Sequence, residues 1–262
     1  MLIADIIKTL EDVAPRRWQE SFDNTGLQVG DPDRACTGVL LCVDPSPQIV
    51  AEAVEKNCNL IVSHHPLLFH GIKSITGPGR VEQTVIEAIR SDISIYSCHT
   101  SIDNAPTIGV SQAMARMLKL TDVVPLEEKG LDKIGCGVIG NLPSPMSPRE
   151  LAAYVKQTFG SPIARCSDPD AASRDIQSVA LCGGAGSFLI PEAIRRGAQA
   201  FITSDCKHNL FLDHLNSIFL VDIGHYESEQ CTKQIFYQII TEKFPNFAVY
   251  YSILDKNPIN YL

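Results

Sequence analysis

The segment Leu60-Ile61-Val62-Ser63-His64-His65-Pro66 decides how the rest of the chain is read. A run of strand character ends in two adjacent histidines and a proline. Within a strand, neighbouring side chains point to opposite faces, so His64 and His65 would diverge there. Pro66 has no N–H to give a ladder and steers His65 away from helical angles, so the strand ends at the histidines. At such an end both imidazoles can turn toward one cleft. In open α/β sheets, ligands bind outside the carboxyl ends of the strands.

Working outward, Gly38 to Asp44 reads as a buried strand closed by the turn Asp44-Pro45-Ser46-Pro47. A helix over 47–57 follows, with Ile49, Val50, Ala53 and Val54 at inward spacing. On the other side, residues 67–80 form a glycine-bearing loop long enough to cover a cleft. A helix over 80–91 leads to the strand Ile93–Cys98, which runs straight into His99-Thr100-Ser101-Ile102-Asp103. Residues 108–118 form a further helix. Before all of these, apolar residues at 3, 6, 7 and 10 predict a helix over 3–13 that Pro15 closes. The turn Asp23-Asn24-Thr25-Gly26 then opens into a strand.

The second half restates this plan. Ile134 to Leu142 is a glycine-rich strand, and Ser147-Pro148-Arg149-Glu150 is a capping box that starts a helix reaching about Phe159. A buried strand, Val179–Cys182, passes into Gly183-Gly184-Ala185-Gly186. Helix 189–196 and strand Ala200–Ser204 follow, ending in Asp205-Cys206-Lys207-His208. The strand Ile218–Ile223 delivers Gly224-His225-Tyr226-Glu227-Ser228-Glu229. Val39-Leu40-Leu41-Cys42 matches Val179-Ala180-Leu181-Cys182, and Leu60-Ile61-Val62-Ser63 matches Phe201-Ile202-Thr203-Ser204. The reading is an α/β protein of two similar units, an internal repeat divided as 1–130 and 131–262. Its sheets are mainly parallel or mixed, with helices on the outside.

The chain has 262 residues, 45% hydrophobic and 20% charged, as expected for a globular protein with an ample core. No apolar run approaches the roughly 20 residues that span a bilayer. The start, Met1-Leu2-Ile3-Ala4-Asp5, lacks the basic and apolar regions of a signal peptide. The nine cysteines form no CxxC pair and are expected to be reduced, buried thiols in a cytoplasmic protein. A net charge of −8 without any basic run argues against a broad nucleic-acid footprint.

Three strand ends therefore offer ligands: His64 with His65, His99 with Asp103, and His225 with Glu229. In the last two pairs a carboxylate follows a histidine by four residues, a spacing that shares one face if a helix begins there. Imidazole nitrogens with carboxylate oxygens suit divalent Zn, Fe, Mn or Ni. The groups exceed what one tetrahedral ion needs, and carboxylates can bridge, so two ions about 3.5–4 Å apart is the natural reading. Each group also has a plainer reading. His-His alone is a weak motif, H-x3-E is often a solvated helix start, and His99 with Asp103 can merely orient each other. His208 fits a capping or supporting role as well as a functional one, and His70 and His214 read as surface residues. The 183–186 glycines lack a complete phosphate-binding pattern and read as a tight turn.

Taken together, these segments resemble the Nif-three-like dinuclear-metal proteins, also labelled GTP cyclohydrolase I type 2 homologues. The resemblance spans nearly the whole chain. It rests on Asp23–Gly30, Ser63–Pro66, His99–Asp103 with Gly109, Cys182–Gly186, Thr203–His208, and Asp222–His225 with Glu229. It implies two intertwined α/β domains, a toroidal homohexamer, and two divalent ions per chain held by His64, His65, Asp103, His225 and Glu229. By that analogy Glu229 bridges, His65 and Asp103 hold one ion, and His64 and His225 hold the other. The function so implied is a metal-dependent hydrolase, with His99 as proton shuttle and Asn24 as positioning group. Its substrate would be a nucleotide or cyclic amide. A regulatory or scaffolding metal protein without turnover is the alternative. A ring threading single-stranded nucleic acid is a third reading, against which the acidic total speaks.

Overall fold

The computed structural model describes residues 1–130, 134–170 and 175–262. The chain opens with α1 (Ile3–Val13), β1 (Gly26–Val29), β2 (Val39–Cys42), α2 (Pro47–Glu55) and β3 (Leu60–Ser63). It continues through α3 (Arg80–Arg90), β4 (Ser94–Ser97), the single turn α4 (Thr100–Asp103), α5 (Val110–Met117), β5 (Thr121–Lys129) and β6 (Ile134–Met146). Next come α6 (Pro148–Thr158), β7 (Arg165–Cys166), β8 (Ile176–Leu181), α7 (Ile190–Arg195) and β9 (Ala200–Thr203). The last elements are α8 (His208–Asp213), β10 (Phe219–Asp222), α9 (His225–Glu229), α10 (Thr232–Lys243) and β11 (Val249–Tyr251).

These elements form two compact units. One is Met1–Ile102 with Thr232–Lys256, the other Asp103–Cys231 with Asn257–Leu262. A division at residue 130 follows the repetition of motifs, whereas the compact units follow packing. The chain leaves the first unit after Ile102 and re-enters it at Thr232.

The first unit holds a mixed five-stranded sheet in the order β1-β4-β3-β2-β11. Strands β11, β2, β3 and β4 are parallel, and β1 joins the edge antiparallel to β4. Every residue of β2 and β3 is buried. That accounts for their unbroken apolar sequences, since a parallel strand is covered on both faces. Leu40, Ile61 and Ile95 of the sheet share a core with Ile49, Val50 and Ala53 of α2 and with Val85 and Ala88 of α3. Val54, inward by sequence spacing, is instead half exposed, and Glu52 is buried in α2. The reason is hydrogen bonding. The Glu52 carboxylate accepts from Ile253 N at 2.9 Å, Leu254 N at 3.3 Å and the Ser252 hydroxyl, where the chain leaves β11. A carboxylate so occupied tolerates burial that an unpaired one would not.

The second unit holds a mixed six-stranded sheet in the order β5-β6-β8-β9-β10-β7. Its centre, β8-β9-β10, is parallel; β5, β6 and β7 extend it antiparallel. Ala180, Phe201 and Leu220 pack with Leu189, Ile190 and Ala193. The capping box of α6 forms as the sequence predicts, with Ser147 N bonding Glu150 Oε2 at 2.9 Å and Glu150 N bonding Ser147 Oγ at 3.4 Å. Both units use one plan: β2-α2-β3-α3-β4 and β8-α7-β9-α8-β10 each lay three parallel strands in sequence order. Among the described residues no helix is long and apolar enough to cross a membrane.

Candidate metal centre

In the first unit the parallel register pairs Ser63 with Ser97, so β3 and β4 end level. The two serine hydroxyls lie 2.8 Å apart, and both donate to the His65 carbonyl, at 2.8 and 3.2 Å. His64 N and His65 N bond the carbonyls of Cys42 and Val43, which carries the β2 ladder past the strand end. The result is what the proline-terminated strand predicts. The rings of His64 and His65 lie 5.0 Å apart, and His99 joins them at 5.2 and 5.5 Å. One ring nitrogen from each of the three falls within 4.8 Å of the others. His64 is fully buried; His65 and His99 are mostly so.

Each of these imidazoles has its Nδ1 facing an oxygen. His64 Nδ1 lies 3.2 Å from the Cys98 carbonyl, His65 Nδ1 2.9 Å from Asp44 Oδ1, and His99 Nδ1 2.8 Å from Asp23 Oδ1. A carbonyl or carboxylate oxygen only accepts, so Nδ1 carries the proton and Nε2 offers its lone pair. This is the arrangement in which histidine ligates metals, with an oxygen behind the ring fixing tautomer and orientation.

Asp23 is the most heavily used of these acceptors. Besides His99 it takes Asn24 N at 2.7 Å, Thr100 N at 2.9 Å, Thr25 Oγ1 at 3.2 Å and the Thr100 hydroxyl. Burial would raise its pKa, but the hydrogen bond and charge of His99, with those of Thr100 and Asn24, hold it well below the usual carboxylate range. Asn24, expected beside the chemistry, is exposed and clasps the loop. Its amide donates to the Leu68 carbonyl at 2.7 Å, while Gln28 Oε1 accepts from Leu68 N at 3.1 Å. That clasp sets Phe69 edge-on to His99, 6.1 Å between rings, with the exposed Phe22 ring 6.4 Å from Phe69.

In the second unit β10 ends at Asp222, and Gly224 (φ +89°) turns the chain into α9. His225 and Glu229 are one helical turn apart, as the H-x3-E spacing predicts, and His225 Nε2 lies 2.9 Å from Glu229 Oε2. His225 Nδ1 is 2.6 Å from Asp205 Oδ2. Asp205 follows β9 in the left-handed region (φ +55°), which aspartate tolerates better than most residues. Burial pulls the His225 pKa down, but Asp205 and Glu229 more than reverse it, and it is pushed up to about 10. Glu229 is buried, and Asp103 closes α4 half-buried. His208 begins α8 exposed, and His70 is exposed on the loop.

The 183–186 glycines explain how Glu229 is accommodated. At Gly184 (φ +62°) an added Cβ would stand 2.1 Å from Glu229 Oε1 and 3.5 Å from His225 Cε1. Gly184 N also bonds Ser228 Oγ at 2.9 Å, and its carbonyl accepts from Ser204 N and Thr203 Oγ1. The loop therefore cannot retreat from the carboxylate. Gly184→Ala is expected to displace Glu229 and weaken divalent-metal binding by about tenfold or more. Chelator competition checks it, with circular dichroism as the control for folding.

Sequence reasoning placed the histidines and missed the three carboxylates behind them, Asp23, Asp44 and Asp205. The signal was present in part, because each lies in a turn at or near a strand end.

His64, His65 and His99, each with Nδ1 on an oxygen, form a set of groups that can hold a metal ion. The sequence model described as Duf34/NIF3 (NGG1p interacting factor 3) matches residues 1–258, and the chain belongs to this family. It is 32% identical over 231 residues to a Clostridium acetobutylicum protein named GTP cyclohydrolase 1 type 2 homolog, covering 87% of this chain and 85% of that one. A Lactococcus lactis protein of the same name is 32% identical over 264 residues, 98% of each chain. Among solved structures, a Staphylococcus aureus hypothetical protein superposes with a TM-score of 0.93 at 28% identity, covering 100% of this chain and 99% of the other. A Bacillus cereus protein related to NIF3 shares the fold with a TM-score of 0.92 at 22% identity, over 100% and 99% of the two chains.

Proposed function

We propose that this protein is a dinuclear metal-dependent hydrolase whose ions are held by His64, His65, Asp103, His225 and Glu229. The observation that carries the reading is the construction repeated at His65 and His225: each imidazole has its Nδ1 on an aspartate oxygen, and the far side of His225 meets the proposed ligand Glu229, Nε2 to Oε2 2.9 Å. Bound there, two divalent ions, drawn from Zn, Fe, Mn and Ni, would supply Lewis acidity and a water activated near neutral pH. The chain's own residues supply the rest. His99, with Nδ1 locked on Asp23, exchanges a proton at Nε2. Asn24 positions the loop that carries Phe69. The name of the relatives directs the substrate search to nucleotides and cyclic amides, and the assembly is a homohexamer acting in the cytoplasm.

The test is a turnover screen of metal-loaded protein against GTP, phosphoesters and cyclic amides, beside His99→Ala. His99→Ala should keep its metal and lose turnover by about 10²–10⁴. A wild-type protein with full metal and no turnover on any of these would replace the hydrolase with a regulatory metal protein.

A further inference from the structure

Past Tyr251, β11 no longer runs beside β2. Ser252 N still bonds the Leu41 carbonyl at 2.9 Å, and beyond it the N–H groups of Val43 and Asp44 meet a side chain. The side chain of Asp255 takes the strand's place. Its Oδ2 accepts from Val43 N at 2.9 Å and its Oδ1 from Asp44 N at 3.4 Å. The carboxylate is almost fully buried, and Lys233 Nζ of α10 lies 2.7 Å from Oδ2 to balance its charge.

The segment it holds supports the histidine face from behind. The Val43 carbonyl takes His65 N at 3.0 Å, and the Asp44 side chain takes His65 Nδ1 at 2.9 Å. Asp255 thus grips, through two backbone N–H groups, the residues that fix the position and tautomer of His65. We propose that Asp255, paired with Lys233, is a positioning residue for His65, setting metal affinity there without touching the ion. The proposal rests on the reading of His65 as a ligand.

Glu52 provides the control. It anchors the same C-terminal segment, through Ser252, Ile253 and Leu254, and is likewise buried, yet it bonds neither Val43 nor Asp44. Asp255→Asn, Glu52→Gln and His65→Ala are compared in the full-length protein. Zn²⁺ affinity is read by chelator competition, and the His65 ring by ¹⁵N chemical shifts in the metal-free protein. Both acid variants should lower the melting temperature. Only Asp255→Asn should weaken Zn²⁺, by about tenfold or more, and only it should shift the His65 ring nitrogens from the Nδ1–H pattern. Asp255→Glu keeps the charge opposite Lys233 and serves if Asp255→Asn does not fold; it should show the same loss. Equal effects of the Asp255 and Glu52 variants on Zn²⁺ and on the ring would make Asp255 merely structural and overturn the inference. Unchanged Zn²⁺ binding in His65→Ala would remove the ligand assignment, and the ring shifts in metal-free protein would then decide the positioning role alone.

Discussion

Asp103→Ala with Glu229→Ala is expected to take the protein from about two divalent ions per chain to nearly none. The measurement is elemental mass spectrometry of untagged protein purified without chelators, beside wild type. The carboxylates supply the negative charge that offsets a dication, while imidazoles alone bring none. Glu229 is buried against Gly184, so no other acid can swing into its place without moving that loop. Circular dichroism should stay native, since the parallel strands that carry both units' cores do not involve either side chain. Full metal in the double variant would dismiss the dinuclear assignment. Little metal in wild type as well would make these histidines structural.

Asp23→Ala should be the most destabilising single change near the histidines, by about 3 kcal/mol, or about 6–12 °C in melting temperature. It strips the acceptor from His99 Nδ1, from Thr100 N and from two hydroxyls, and leaves those donors inside the protein. Asn24→Ala, one residue on, removes an exposed amide and should cost about 1 kcal/mol or less. The pH dependence follows from the sign of the shift. The carboxyl titrates lower in the folded chain than in the unfolded one, so its contribution is complete above the ordinary carboxylate range and fades only as pH falls below about 4. Wild type and Asp23→Ala should therefore differ most in melting temperature near neutrality and converge in acid. A constant gap down to pH 2 would show that the carboxylate's ionisation plays no part.

The strand ends were legible because their chemistry is local. A buried parallel strand must be apolar throughout, and a proline after two histidines marks where it stops. The H-x3-E of α9 was legible for a similar reason, since helix spacing alone sets the pair on one face. The carboxylates behind the rings were not, because what makes Asp44 the partner of His65 is sheet register at a sequence separation of 21, and Asp23 reaches His99 at a separation of 76. In sequence, Asp44-Pro45-Ser46-Pro47 and Asp23-Asn24-Thr25-Gly26 are simply good turns. Three strands also escaped notice, of which β7 is only two residues long. β5 lies at a sheet edge, carries Pro125 and has few buried residues, so it lacks the alternation of a half-buried strand. β11 is three residues long, two of them exposed tyrosines. The misplaced Val54 has the same origin: periodicity puts it inward, but the partners of Glu52 lie some 200 residues away.

The return of the chain to its first unit also fixes an order of events at the ribosome. Synthesis runs from the N-terminus, and domains ordinarily fold as they emerge. Here β1 to β4 emerge early but lack α10 and β11, which come from residues 232–251. Residues 103–231, with the whole six-stranded sheet, are complete before that. The nascent chain therefore carries an unfinished, apolar β2 edge through the time it takes to make most of the other unit. That edge closes only when β11 pairs with β2 and Asp255, a few residues later, takes Val43 N.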